Sequence, residues 1–262
     1  NIIQIIIKKE ICNHFWHYMM GEFLPVLYLI FSLEPDKVIL YNPNRKWNGP
    51  FDNFYKEIHQ NIIFSNKLTK NIKKCTYNSW DYKINKNEKN KCLFVIEYLK
   101  NLSFDKFGIQ HKNKILCLYR DVNEKLDNYF LKQYGNNKYG YTGGKRRSYK
   151  NIKEIDKFID NILYINTDNL PILEQISHFI LHNKIILEHG AGMFFCLFMQ
   201  DNTKIIEIIP PSKYNKKNGA VQGLKRIIHL KKFQLRRIIL ENKEDILQKK
   251  DDLILLNKHF FY

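Results

Sequence analysis

The stretch from Lys184 to Ile209 constrains the fold more than any other part of the chain. Lys184 to Glu188 and Lys204 to Ile209 are both apolar runs of strand length. Between them lie His189-Gly190-Ala191-Gly192 and the apolar segment Met193 to Met199, which reads as a helix over Gly190 to Met199. A continuous apolar run suits a strand covered on both faces, and such strands pair in parallel. Parallel neighbours cannot be joined by a hairpin, so the segment between them must cross over as a helix.

The same alternation extends upstream. Lys114 to Tyr119 is another buried-strand run, followed by a Gly-rich basic loop from Tyr139 to Lys150. Asn151 with Glu154 reads as a capping box, and Ile152, Ile155, Phe158, Ile159 and Ile162 follow at helical spacing. Ile162 to Ile165 begins another strand, and Pro171 opens a helix with Leu173, Ile176, Phe179 and Ile180 on its apolar face. Strand, helix, strand, helix, strand is the pattern of an open parallel sheet with helices on both faces. Ligands of such sheets sit outside the carboxyl ends of the strands, where Arg120, His189 and Glu207 fall.

Residues 1–110 read as a separate mixed domain. An aromatic segment, His14 to Tyr18, leads into an apolar helical stretch; Lys37 to Tyr41 is a strand, and the polar region Lys67 to Lys91 reads as a long loop. Residues 111–240 form the second domain, and residues 241–262 a C-terminal helix packing back. The chain of 262 residues is 44% hydrophobic and 14% aromatic, enough to fill two small cores.

A formal net charge of +17 favours anionic partners. Part of it follows from the heavy use of Lys, Asn and Ile that an AT-rich coding sequence imposes. The excess is concentrated: no acidic residue occurs from Ile208 to Leu240, a segment that reads as an anion-facing surface. The five cysteines are scattered without a C-x-x-C pair, which fits free thiols in a reducing compartment. No run approaches the length of a membrane span. These features point to the cytoplasm, although the sequence starts at Asn1 rather than Met and an upstream targeting segment stays open.

Gly190, Ala191 and Gly192 let the backbone approach a ligand, and the N–H groups of the following helix face an anion. The alternative is a tight turn whose glycines only relieve packing. Arg120, Arg146 and Arg147 suit phosphate oxygens through the planar guanidinium fork, against an ion pair of Arg120 with Asp121 or Glu154 or a solvated basic loop. Glu207 either accepts from ribose hydroxyls or pairs with a Lys or with His189. His189 either donates to a phosphate or sugar or holds the loop.

The string ILEHGAGMFFCLFMQDNTKIIEIIP resembles the hallmark of glycosyltransferase family 61, with His189, Gly190, Ala191, Gly192, Phe198, Glu207 and Pro210 matching in order and spacing. Glu188 stands where small or polar residues are more usual. Leu118-Tyr119-Arg120, Lys145-Arg146-Arg147 with Asn151 and Glu154, and Asn13 to Tyr18 with Glu22 and Pro25 are similar to further family elements. The last runs one residue long.

The resemblance implies a GT-B fold, an α/β architecture of two Rossmann-like domains facing across a cleft. It also implies inverting transfer without a metal or other cofactor, from a nucleotide-sugar that is UDP-linked. The chain has no D-x-D sequence, in keeping with that reading. The sugar would be GlcNAc or a pentose, and the acceptor a protein or glycan hydroxyl. A general base is needed on that hydroxyl; His17 and Glu22 are the candidates, with His14 behind them. Two other readings are a catalytically silent scaffold and a basic nucleic-acid-binding protein, the latter without an RNP-like, zinc-finger or helix-turn-helix signature.

Overall fold

A computed structural model describes residues 1–7, 15–47, 51–80, 84–108, 114–119, 151–168, 170–209, 227, 230–241 and 246–261. Arg120, Arg146, Arg147, His14, Pro210 and the basic positions from Lys213 to Arg226 lie outside the described residues. The chain is α/β and divides into two compact units, Asn1–Leu102 with Pro171–Leu173, and Ser103–Leu170 with Glu174–Tyr262. Each is built on one parallel sheet.

In the first unit β1 (Ile2–Ile6), β2 (Lys37–Tyr41), β3 (Ile62–Ser65) and β4 (Lys73–Cys75) are ordered β3-β2-β1-β4. Every pair is parallel, with Ile3 opposite Val38 and Lys73. Helix α1 (Phe15–Tyr18) runs through a π-helical turn, Met19–Phe23, into α2 (Leu24–Leu33). Pro25 lies within this continuous helical run and offers no N–H to the turn before it, and the Met20 carbonyl accepts from the Trp80 backbone N–H instead. Glu34 ends α2 in the left-handed conformation. Helix α3 (Asn53–Ile58) precedes β3, and α4 (Lys86–Phe107) follows β4.

The structure corrects the reading of Lys67 to Lys91 as a loop, because β4 and the start of α4 lie within it. Asn85 and Glu88 form a reciprocal capping box: the Asn85 N–H donates to Glu88 Oε2 (3.0 Å) and the Glu88 N–H to Asn85 Oδ1 (2.9 Å). The lysines and asparagines around this signal hid it.

The second sheet is ordered β6-β5-β7-β8-β9, from β5 (Ile115–Leu118), β6 (Ile162–Ile165), β7 (Lys184–Glu188), β8 (Thr203–Ile209) and β9 (Phe233–Ile239). All neighbours are parallel. Side chains alternate between faces along each strand. One face presents Ile115, Cys117, Ile186, Ile206, Ile208 and Ile238 to a core completed by the 3-10 helix Ile152–Lys157 and the C-terminal Leu253, Phe260 and Phe261. The C-terminal segment is thus packed against the sheet, as a 3-10 turn Ile246–Lys249 and a short helix (Lys250–Leu256) ending in a π-helical turn.

The opposite face carries Leu118, Leu187 and Glu207, and lies under the 3-10 helix Ala191–Phe198, whose residues from Met193 to Phe198 are all buried. Phe195 stacks on Phe179 there (centroids 4.8 Å apart) just past the helix Ile172–Ser177. One local reading needs correction. Asn151 makes no side-chain cap but takes the left-handed conformation (φ 61°), and a 3-10 helix follows it. The helix read over Gly190 to Met199 is present as the 3-10 helix Ala191–Phe198.

Burial pushes the Cys92 thiol up to about 12, and raises Cys117 and Cys196 well above the ordinary thiol range. A thiolate is the nucleophile, so these three should be inert in the folded state. Differential alkylation read by mass spectrometry should leave all three unmodified until denaturant is added; labelling of any of them at the rate of a free thiol would contradict this packing.

Candidate functional site

The second sheet reverses direction between β5 and β7. The chain leaves β5 for β6 on one side, then returns past β5 to β7, β8 and β9 on the other. The carboxyl ends at such a reversal leave a crevice, because the two loops diverge to opposite faces. β5 ends at Leu118, two residues before Arg120, and β7 ends at Glu188, directly before the His189-Gly190-Ala191-Gly192 corner.

The corner is seated tightly. The His189 N–H donates to the Ile208 carbonyl (2.8 Å), extending the β7–β8 ladder by one bond. A Cβ built on Gly192 would stand 2.8 Å from Leu118 Cδ2, inside contact distance. The glycine therefore lets the corner close on the end of β5. Glu188, by contrast, is buried on the other face, near Cys117, whose thiol it helps to raise.

Beneath the corner lies a buried polar chain. Glu207 has no exposed surface. Its Oε1 accepts from His189 Nδ1 (2.7 Å), and its Oε2 accepts from Arg237 Nε (2.9 Å). The register explains the second contact, since Glu207 and Arg237 are direct partners across the β8–β9 pair. His189 lies two residues beyond Leu187, the β7 partner of Glu207, so the imidazole shares its face.

A carboxylate only accepts, so Nδ1 carries the proton and Nε2 is left as the functional nitrogen. The pairing of Glu207 with His189 that the sequence left open is present as a hydrogen bond, together with a guanidinium that the sequence did not single out. Arg237 was legible only as one of many basic residues between Ile208 and Leu240. Its place opposite Glu207 needed the strand β9, which its alternating polar residues disguised.

Of the other described cations in that segment, Lys232 is exposed. Lys231 pairs with Asp201 (3.5 Å) and Arg236 lies over the Phe260 ring (5.4 Å).

In the first unit Glu22 and His17 separate. His17 is half-buried on α1. Glu22 is fully buried in the π-helical turn, where its Oε1 accepts from Arg45 Nη1 (2.7 Å) and from the Tyr55 hydroxyl (3.2 Å). Arg45 also pairs with Asp52 and lies over the Trp47 ring (4.5 Å). Burial raises the Glu22 carboxyl above its usual range, with Arg45 opposing the shift. This cluster ties the turn between α1 and α2 to the segment around Arg45 and Asp52.

Two parallel sheets, one with a Gly-rich corner at its switch point, make this an α/β protein consistent with Rossmann-like domains. The model of the family Glycosyltransferase 61 matches residues 15–206. The chain belongs to this family and is a glycosyltransferase, acting on a sugar donor and an acceptor. No curated protein matches it. Among the described residues no helix is long and apolar enough to cross a membrane.

Two measurements check these clusters. Replacing Arg45 by Met strands the Glu22 and Asp52 carboxylates, and should cost about 3–5 kcal/mol in a denaturant titration. Glu207→Ala leaves Arg237 and His189 without their shared acceptor and should cost a comparable amount, about 3–5 kcal/mol. A loss below 1 kcal/mol in either case would mean the charges are solvated rather than buried.

Proposed function

We propose that the protein is a GT-B enzyme that transfers a sugar from a UDP-sugar with inversion and without a metal, to a glycan or protein hydroxyl. The observation that carries this reading is the buried chain His189–Glu207–Arg237 at the carboxyl end of β7, beside the switch point with β5. Glu207 and Arg237 balance each other, so the chain is neutral with a neutral imidazole and carries one positive charge when His189 is protonated. A diphosphate next to Nε2 favours the charged form, and the imidazolium in turn stabilises the leaving phosphate. Glu207 acts through His189 in this scheme, fixing its tautomer and ring orientation as a carboxylate does for other functional histidines.

The N–H groups following Gly190 supply further donors to the diphosphate, and Gly192 keeps the corner close to β5. Arg120, two residues past β5, and Arg146 and Arg147 complete the neutralisation. With these cations in place of a metal, the acceptor oxygen attacks the anomeric carbon as its bond to the diphosphate breaks. His17 is the group proposed to take the acceptor proton, because Glu22 is engaged by Arg45 and Tyr55.

UDP and UDP-sugars should raise the melting temperature, since a ligand at about 100 times its Kd stabilises by roughly 2.7 kcal/mol. The shift should disappear in Arg120→Ala and weaken in His189→Ala, and sugar transfer should survive chelator. A silent scaffold would bind UDP without hydrolysing or transferring the sugar. No shift with any nucleotide-sugar, alongside salt-sensitive binding to random nucleic acid, would favour the nucleic-acid reading instead.

A further inference from the structure

The first sheet has a switch point of its own. β1 continues to β2 on one side, while β4 pairs on the other, so the loops after β1 and β4 diverge. Directly beyond β4 the chain runs through Tyr77, Asn78 and Trp80, which form one wall of an open groove of about 240 Å³. Tyr28 of α2 and Glu88 and Lys91 of α4 stand on its other sides.

The groove combines fixed ring faces with a polar rim. The Trp80 backbone N–H donates to the Met20 carbonyl (3.0 Å), which ties the main chain at Trp80 to the π-helical turn, and the Trp80 side chain is buried. Tyr28 packs its ring against Trp80 (centroids 6.3 Å apart, planes at 58°). Lys91 Nζ lies 5.0 Å from the centre of the Tyr28 ring, and the capping box holds the Glu88 carboxylate at the start of α4. One cation and one anion on the rim leave it without a net sign, so a phosphorylated or acidic ligand gains little there. A wholly apolar ligand would take water from Asn78, Lys91 and the Glu88 carboxylate without replacing its hydrogen bonds.

A pyranose meets both demands. The polarised C–H groups of its face suit the negative face of an aromatic ring, and its hydroxyls donate and accept at the edge. We propose that this groove binds the acceptor, and that the acceptor is a neutral glycan, one ring stacked on Tyr28 with hydroxyls directed to Asn78, Glu88 and Lys91. The proposal rests on the reading of the chain as an active glycosyltransferase, and narrows its acceptor to carbohydrate.

The test uses the full chain, with an array of neutral hexopyranose oligosaccharides as probes and binding read by saturation-transfer NMR. UDP-induced thermal shift is recorded in parallel on the same samples. At least one glycan should bind. Tyr28→Ala should weaken it about tenfold or more, and Tyr28→Phe should retain it, because the stacking face is kept. Asn78→Ala should weaken it less, and UDP stabilisation should be the same in all variants. Absence of binding by every neutral glycan, or equal affinity in Tyr28→Ala, would overturn the proposal. So would binding of acceptor peptides, with no glycan, that depends on the same residues. Glycan binding without any UDP shift would instead remove the donor reading and leave the groove standing.

Discussion

A carboxylate in the middle of a sheet covered on both faces is the interaction around which the second unit is arranged. Glu207 has Ile206 and Ile208 as chain neighbours and Leu187 as its partner on β7, all buried. Taking its charge out of water costs several kcal/mol unless compensating groups are held in good geometry. Two are, one from the loop after β7 and one from β9. The requirement reaches beyond the pair: it fixes the register of β9 against β8, which in turn carries Ile238 and Leu240 into the core on the opposite face. It also holds the imidazole of the corner in one orientation. Stability and the site therefore share a group, and the sheet cannot be repacked without disturbing the histidine.

A second buried charge network does similar work in the first unit with different consequences. Arg45 lies between two carboxylates and two aromatic rings, and of these groups all but the half-buried Trp47 are buried. Glu22 is therefore better understood as a brace for the turn from α1 to α2 than as a group that meets a substrate. His189 is buried as well, but it sits at a strand end with its Nδ1 held by Glu207, whereas Glu22 is held by both Arg45 and Tyr55.

Much of the second sheet could be read from residues alone because its strands are pure apolar runs. KILCLY, KIILE and TKIIEII leave few alternatives, and the corner between the last two is marked by glycines. Strands with mixed composition were harder. β9, written FQLRRII, is an edge strand whose alternating exposed positions carry Gln and Arg, so it merged with the basic segment around it. β4 is only three residues, two of them exposed lysines. The 22-residue helix α4 carries Phe94, Tyr98 and Phe104 on its exposed side, which blurred its amphipathic pattern. The partners of Glu207 depended on a tertiary register that no local spacing reveals. The aromatic groove escaped notice for the same reason, since Tyr28 and Trp80 are far apart in the chain and meet only through the packing of α2 beside β4.

The order β3-β2-β1-β4 places β1 inside the sheet, between a strand that follows it soon and one that follows it late. During synthesis Ile2 to Ile6 form an almost wholly isoleucine ribbon with both hydrogen-bonding edges open until those partners are made. One edge is satisfied when Lys37 to Tyr41 follows; the other waits until Cys75 has been made. Until then the ribbon is the kind of unpaired, uncharged β segment that adds to other chains as readily as to its own. Ordered assembly of this unit thus depends on keeping that one strand occupied while the rest of its sheet is still being translated.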